Sequence, residues 1–233
     1  MIDIRGVSKR FGATTALHDV TLQVGSGDVF CLLGANGAGK TTLLNVCLGF
    51  LRPDAGTVSI DGHDVSANPR EARTQIGYVP EQVQLYDTLT AVEHLEFFSE
   101  LRGDRLPRQQ AVEALVLAGL DGPQAALRVG TYSKGMRQKV ALALALASGA
   151  STLLLDEPLS GLDPKSAIDL SARLRRLGGE GRALLLTTHD LFRALETATC
   201  VGIMRAGAVV HVASTAGLTY DRLERTYLDI MSA

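Results

Sequence analysis

Residues 34–41 read GANGAGKT. Every fixed position of the pattern GxxxxGK[ST] is filled. The flanks also suit it. Val29–Leu33 (VFCLL) is a short apolar run of buried-strand type, and residues 41–50 carry helical apolar spacing until Pro53 and Gly56 stop it. Gly34, Gly37 and Gly39 let the backbone curl with its amides turned inward, which makes an anion nest. The helix that follows adds free N–H groups and its positive dipole end. Lys40 brings a point charge for β- and γ-phosphates, and the Thr41 hydroxyl is a ligand for Mg²⁺. Ala35, Asn36, Ala38 and Thr42 complete the predicted nucleotide-binding set. A nucleotide phosphate is therefore the expected ligand.

Further along, residues 153–158 read LLLDEP. A buried strand here delivers two acids at its C-terminal end, where ligands of open α/β sheets bind. Asp156 is expected to hold Mg²⁺, directly or through water. Glu157 is the expected general base for an attacking water. Residues 57–60 and 183–187 are further strand-like runs, and 201–204 with 209–212 read as a hairpin around Arg205-Ala206-Gly207-Ala208. Between about residues 88 and 147 no strand is expected; residues 90–101 and 108–118 have helical periodicity instead. The pattern predicts a largely parallel sheet wrapped by helices, with a helical segment placed between its two halves.

Composition narrows the options. The chain has 233 residues, 46% hydrophobic and 21% charged, so a full core can be buried and disorder is not expected. Lys plus Arg is 23 and Asp plus Glu is 25, a net charge of -2 that argues against broad binding to nucleic acid. Tryptophan is absent and aromatics are 5%, which leaves little for base stacking. Cys31, Cys47 and Cys200 are odd in number and far apart, with no zinc spacing, and are expected as small buried hydrophobes. The N-terminus carries charge from its third residue and shows no signal-peptide pattern. Residues 140–155 (VALALALASGASTLLL) are too short and too interrupted to span a bilayer; they read as a buried helix, a turn and a buried strand. The arginines in 102–108 and 173–176 are expected to be solvated.

Residues 131–139 read TYSKGMRQK, a variant of LSGGQ, and with the two motifs above they make the chain resemble the nucleotide-binding subunit of ATP-binding-cassette (ABC) transporters over nearly its whole length. The resemblance implies a P-loop NTPase core in one domain, residues 1–233: a mainly parallel sheet flanked by helices, with an N-terminal antiparallel β part. Core would be roughly residues 1–87 and 153–233, and an inserted α-helical subdomain roughly 88–152. Ser133 and Gly135, at a helix start, would face a γ-phosphate. Tyr132, Lys134 and Met136 depart from the consensus. Asp163 closes the stretch SGLD, as the D-loop does. His189 would sense the γ-phosphate from the end of the next strand. Phe11 stands where family members stack an aromatic on adenine. The glutamine usual after the strand Ile76–Val79 is replaced by Glu81, with Gln82 next; a carboxylate there can still ligate Mg²⁺. The combination YVPEQ and YSKGMRQ is similar to the drug-, antibiotic- or polysaccharide-export branch.

What the resemblance implies is an ATPase that uses ATP and Mg²⁺ as half of a two-subunit sandwich. Lys40, Thr41, Asp156, Glu157 and His189 of one subunit would hold the nucleotide, and Ser133 and Gly135 of the other would close over it. The second subunit would be another copy or a paralogue. A separate integral membrane permease would receive the motion through a groove near Glu81, with this chain on the cytoplasmic face of the membrane. The chain stops soon after a helix expected over 222–230, with no room for the C-terminal regulatory domain of many importers, so export is the expected direction. The rival reading is a non-transport ABC ATPase acting on ribosomes or DNA. One cassette, no heptad run and no cysteine cluster count against it.

Overall fold

The computed structural model describes residues 1–232. Two sheets build it. The first is antiparallel, in the order β2-β1-β4-β5, from β1 (Ile2–Phe11), β2 (Thr14–Val24), β4 (Ala55–Ile60) and the short β5 (His63–Asp64). The second has the order β10-β9-β3-β8-β7-β6, from β3 (Val29–Leu33), β6 (Ile76–Val79), β7 (Thr152–Leu155), β8 (Ala183–Thr188), β9 (Cys200–Arg205) and β10 (Ala208–Ser214). Its strands β9, β3, β8, β7 and β6 run parallel, and β10 folds back antiparallel on β9.

Unlike those of β4 and β10, the apolar runs of β3, β7, β8 and β9 are strands buried on both faces, as parallel strands usually are. Side-chain alternation divides each between two cores. Val29, Cys31 and Leu33 of β3 face one core, and Phe30 and Leu32 the other. Leu153 and Leu155 of β7 go to the first and Leu154 to the second. The second core is closed by β1, β2, β4 and α1 (Lys40–Cys47). Helices close the first: α3 (Ala91–Leu101), α4 (Arg108–Ala118), α6 (Lys134–Ala147), α7 (Pro164–Gly179), α8 (Leu191–Thr197) and α9 (Tyr220–Ser232), with α2 (Pro69–Thr74) and α5 (Gly122–Ala125) as short connectors. Among the described residues no helix is long and apolar enough to cross a membrane.

The hairpin forms as expected, and its turn does more than reverse the chain. Ala206 and Gly207 both have positive φ, 48° and 82°, the pairing of a two-residue turn that matches strand twist. The Gly207 N–H donates to the Ala38 carbonyl at 2.9 Å, and its carbonyl accepts from His18 N–H at 2.8 Å. The hairpin tip therefore braces residues 34–41. Cys31 and Cys47 are buried, and burial pushes the Cys47 thiol up to about 12, whereas Cys200 is only partly covered.

One expectation is corrected. Arg173 and Arg176 are not simply solvated. Arg173 donates to the Leu117 carbonyl at 3.2 Å, and Arg176 reaches the same oxygen at 3.5 Å, so α7 caps the C-terminal end of α4.

Candidate functional site

Strand order brings the motifs together. β3, β8 and β7 are neighbours, so the loop after β3, the acids after β7 and the histidine after β8 emerge side by side at one sheet edge. Helix α1 starts at Lys40 behind Gly39, which has φ 109° and provides no side-chain cap. The first-turn amides of Lys40, Thr41 and Thr42 thus lack intrahelical acceptors and lie at the positive end of the helix dipole. Gly39 also has no room for a side chain: a Cβ would lie 2.6 Å from the Ala16 carbonyl oxygen. Gly37, at φ 82°, has open space beside it. The Lys40 ammonium is buried and donates to the carbonyls of Gly34 at 2.6 Å and Ala35 at 3.3 Å.

Glu157 has φ 45°, a left-handed conformation that costs an ordinary residue about 1–2 kcal/mol. Its carboxylate is buried, 3.8 Å from Lys40 Nζ, and accepts from His189 Nδ1 at 3.1 Å on both oxygens. With an ionised acceptor, His189 carries its proton on Nδ1. The Asp156 carboxylate is buried beside it and accepts from the Thr187 hydroxyl at 2.6 Å. Sequence reasoning passed over Thr187, which reads only as the end of an apolar strand.

A cavity of about 440 Å³ opens over this edge. Ala35, Asn36, Gly37, Ala38, Gly39, Lys40, Thr41 and Thr42 form its floor, Glu81, Glu157 and His189 one wall, and Thr14, Thr15 and Ala16 of β2 another. The β2 residues were also missed; nothing in Thr-Thr-Ala marks them apart from fold. Gln82 lines an adjoining small groove with Glu81, Lys134, Arg137 and Gln138, and of the two residues Glu81 alone also lines the cavity. Tyr78, half-buried on β6, has its phenol pushed up by burial and by the nearby Asp156 and Glu81 charges. Phe11, Ser133, Gly135 and Asp163 do not line the cavity. Phe11 is half exposed at the end of β1, with Lys9 Nζ 5.7 Å over its ring. Ser133 caps α6 by accepting from Met136 N–H at 3.3 Å, and Asp163 caps α7 by accepting from Ser166 N–H at 3.0 Å. Gly135 packs so closely on α7 that a Cβ would sit 3.0 Å from Ser166.

Among the described residues no three His, Cys, Asp or Glu side chains form a metal cage. Thr41 and Glu81 line the cavity, whereas Asp156 is buried at the end of β7 next to the lining residue Glu157; all three are hard oxygen donors. That set fits Mg²⁺, which takes few protein ligands and completes its shell with phosphate oxygens and water.

The sequence matches the family described as ABC transporter over residues 17–160. It is 40% identical over 195 residues to a Nod factor export ATP-binding protein I of Burkholderia orbicola, covering 83% of this chain and 64% of the relative. A daunorubicin resistance ATP-binding protein of Streptomyces coeruleorubidus is 38% identical over 211 residues, covering 90% and 66%. A sulfate/thiosulfate import ATP-binding protein of Bordetella parapertussis is 39% identical over 219 residues, covering 91% and 62%. The chain thus spans a little under two thirds of the length of these relatives. Among solved structures, an ATP-binding cassette in a dimeric post-hydrolysis state with ADP and Pi superposes with a TM-score of 0.82 at 29% identity, covering 94% of this chain and 100% of that one.

Proposed function

This chain belongs to the ABC transporter family, and from that premise we propose that it binds and hydrolyses ATP to drive a transporter whose membrane part is a separate polypeptide. The observation that carries this reading is the meeting of Lys40, Glu157 and His189 at one cavity of about 440 Å³, with Glu157 within 3.8 Å of the lysine and 3.1 Å of the histidine. A glycine-rich loop alone supports binding; a fixed carboxylate beside it supports hydrolysis.

The loop amides and the α1 N-terminus receive the phosphates, and Lys40 exchanges its bonds to the Gly34 and Ala35 carbonyls for phosphate oxygens. Thr41, Asp156 and Glu81 would hold Mg²⁺, which when bound offsets phosphate charge. Glu157 takes the proton of the attacking water. His189 orients that carboxylate through Nδ1–H, and its Nε2 donates to a phosphate oxygen only when the ring carries both protons. Thr14 to Ala16 and Phe11, on the β1 and β2 side, are assigned to the base and sugar.

Ser133 and Gly135 lie off this cavity, so they are assigned to the nucleotide of a second copy or a paralogue; dimeric cassettes among the structural relatives support this. An apolar groove between β6 and the helices α3 and α6, lined by Ile76, Tyr78, Phe98 and Leu101, is assigned to the membrane partner. Work at the cytoplasmic face of a membrane follows from that partner. The relatives' names concern export, resistance and import, which supports transport over action on ribosomes or DNA. Export is the direction favoured by the Nod factor and daunorubicin relatives together with the YSKGMRQ signature.

The test is Glu157→Gln. The variant is expected to bind ATP as the parent does, to lose turnover by about 10²-fold or more, and to accumulate as a nucleotide-bound dimer. Turnover equal to the parent's would overturn the assignment of Glu157 as base.

A further inference from the structure

Given the hydrolytic reading above, on which it rests, we propose that Thr187 is a positioning residue: one hydroxyl sets both the metal-side carboxylate of Asp156 and the backbone of Glu157. Thr187 is fully buried in β8, two residues before His189. Its Oγ1 donates to Asp156 Oδ1 at 2.6 Å and accepts from the Glu157 N–H at 3.1 Å. A hydroxyl has a single proton, so both bonds coexist only with that proton on the Asp156 side. The hydroxyl's own O–H···O bond is the shorter of the two, as that class of bond is.

Two consequences follow. The Thr187 bond takes one acceptor site of Asp156 Oδ1, so Oδ2 is the less engaged oxygen for a cation. Glu157, in its left-handed conformation at φ 45°, is held at both ends: its amide by Thr187 of β8 and its carboxylate by His189, just past the end of that strand. The hydroxyl is not needed for the strand itself. Ala183, Leu184, Leu185 and Leu186 precede it as wholly apolar buried residues, and valine would serve β8 as well. A buried hydroxyl with two polar partners on the acid pair has its use there.

Thr187→Val keeps the shape and removes the hydroxyl, and Thr187→Ser keeps the hydroxyl. Both are made in the full chain and compared by three measurements: binding of a fluorescent ATP analogue as Mg²⁺ is titrated, steady-state turnover, and thermal melting. Thr187→Val is expected to bind the analogue normally without Mg²⁺, to need about tenfold more Mg²⁺ for half-saturation, and to lose kcat about tenfold or more with little change in KM. In a Glu157→Gln background at saturating Mg²⁺ it should add almost no further loss of turnover, because the effect left once Asp156 is fully loaded runs through Glu157. Thr187→Ser should restore the Mg²⁺ midpoint and kcat. The proposal is overturned if Thr187→Val matches the parent in both, or if Ser and Val are equally impaired. A parent that binds nucleotide without turnover refutes the hydrolytic reading, and the Mg²⁺ midpoints then decide the role of Thr187 alone. Should Thr187→Val fail to fold, Thr187→Ala against Thr187→Ser supplies the same comparison.

Discussion

His94 is wholly buried on α3, stacked with Tyr86 and Phe98. Its Nδ1 pairs with the Thr90 carbonyl at 2.8 Å, and its Nε2 accepts from the Tyr86 N–H at 2.9 Å. Only the neutral ring with its proton on Nδ1 makes both bonds, because a carbonyl cannot donate and an amide N–H cannot accept. Burial lowers its pKa below the ordinary 6.5, against the opposing pull of Thr90 and Glu93. The sign follows from linkage. As pH falls below 6.5 the unfolded chain takes up the proton first, so stability declines until the folded ring is itself protonated. His94→Phe keeps an aromatic in the stack but leaves the Tyr86 N–H unpaired, at a cost of about 1–3 kcal/mol near neutral pH. Thermal melting between about pH 8 and pH 5 should give a lower but flatter stability profile for this variant than for the parent. Neither His94 nor Thr187 stood out in the sequence. Each matters through a partner far along the chain or on a loop, and no local pattern encodes that meeting.

The helices were more legible than their contacts. Thr90 starts α3 with a capping box, Glu93 reaching back to the Thr90 N–H at 2.7 Å, and α4 spans the periodicity read for it. What periodicity does not carry is how α4, α6 and α7 are tied. Asp169 on α7 pairs with Lys139 of α6 at 2.6 Å and with Arg173 at 3.1 Å. Arg173 in turn donates to the end of α4 and lies over Gly119, where a Cβ would fall 2.2 Å from its Nε. Gly119 therefore ends α4 for two reasons: its left-handed φ of 88° and the guanidinium above it. Arg173→Ala is expected to lower unfolding stability by about 1–2 kcal/mol in urea, and Arg173→Lys to recover little, since an ammonium lacks the fork that spans Asp169 and the α4 carbonyls.

For the whole molecule, the decisive fact is that the signature residues and the cavity lie apart. Ser133 is exposed, and Gly135 is explained inside the chain by its closeness to Ser166, so neither is occupied with this chain's own nucleotide site. If two copies complete each other's sites, a Lys40→Ala chain and a Ser133→Arg chain, each inactive alone, should regain ATP turnover when mixed, because one of the two sites in the mixed dimer is intact. Turnover that stays absent on mixing, with both variants folded, would refute the shared site. By itself the sequence determined the glycine-rich loop, the acid pair at a strand end, the buried strands and the limits of α3 and α4, but not α7 or α8. These depend on backbone freedom at a few glycines, on charge at a strand end and on the period of apolar residues, all of which are local. Tertiary structure alone decided that β3, β8 and β7 would be neighbours, that Thr187 of β8 and His189 just beyond it would hold Glu157 at its amide and its carboxylate, that Glu81 rather than Gln82 would reach the cavity, and that two arginines would cap a helix from another element. Those outcomes depend on which strands pair and which helices touch, and pairing is set by the packing of the whole core.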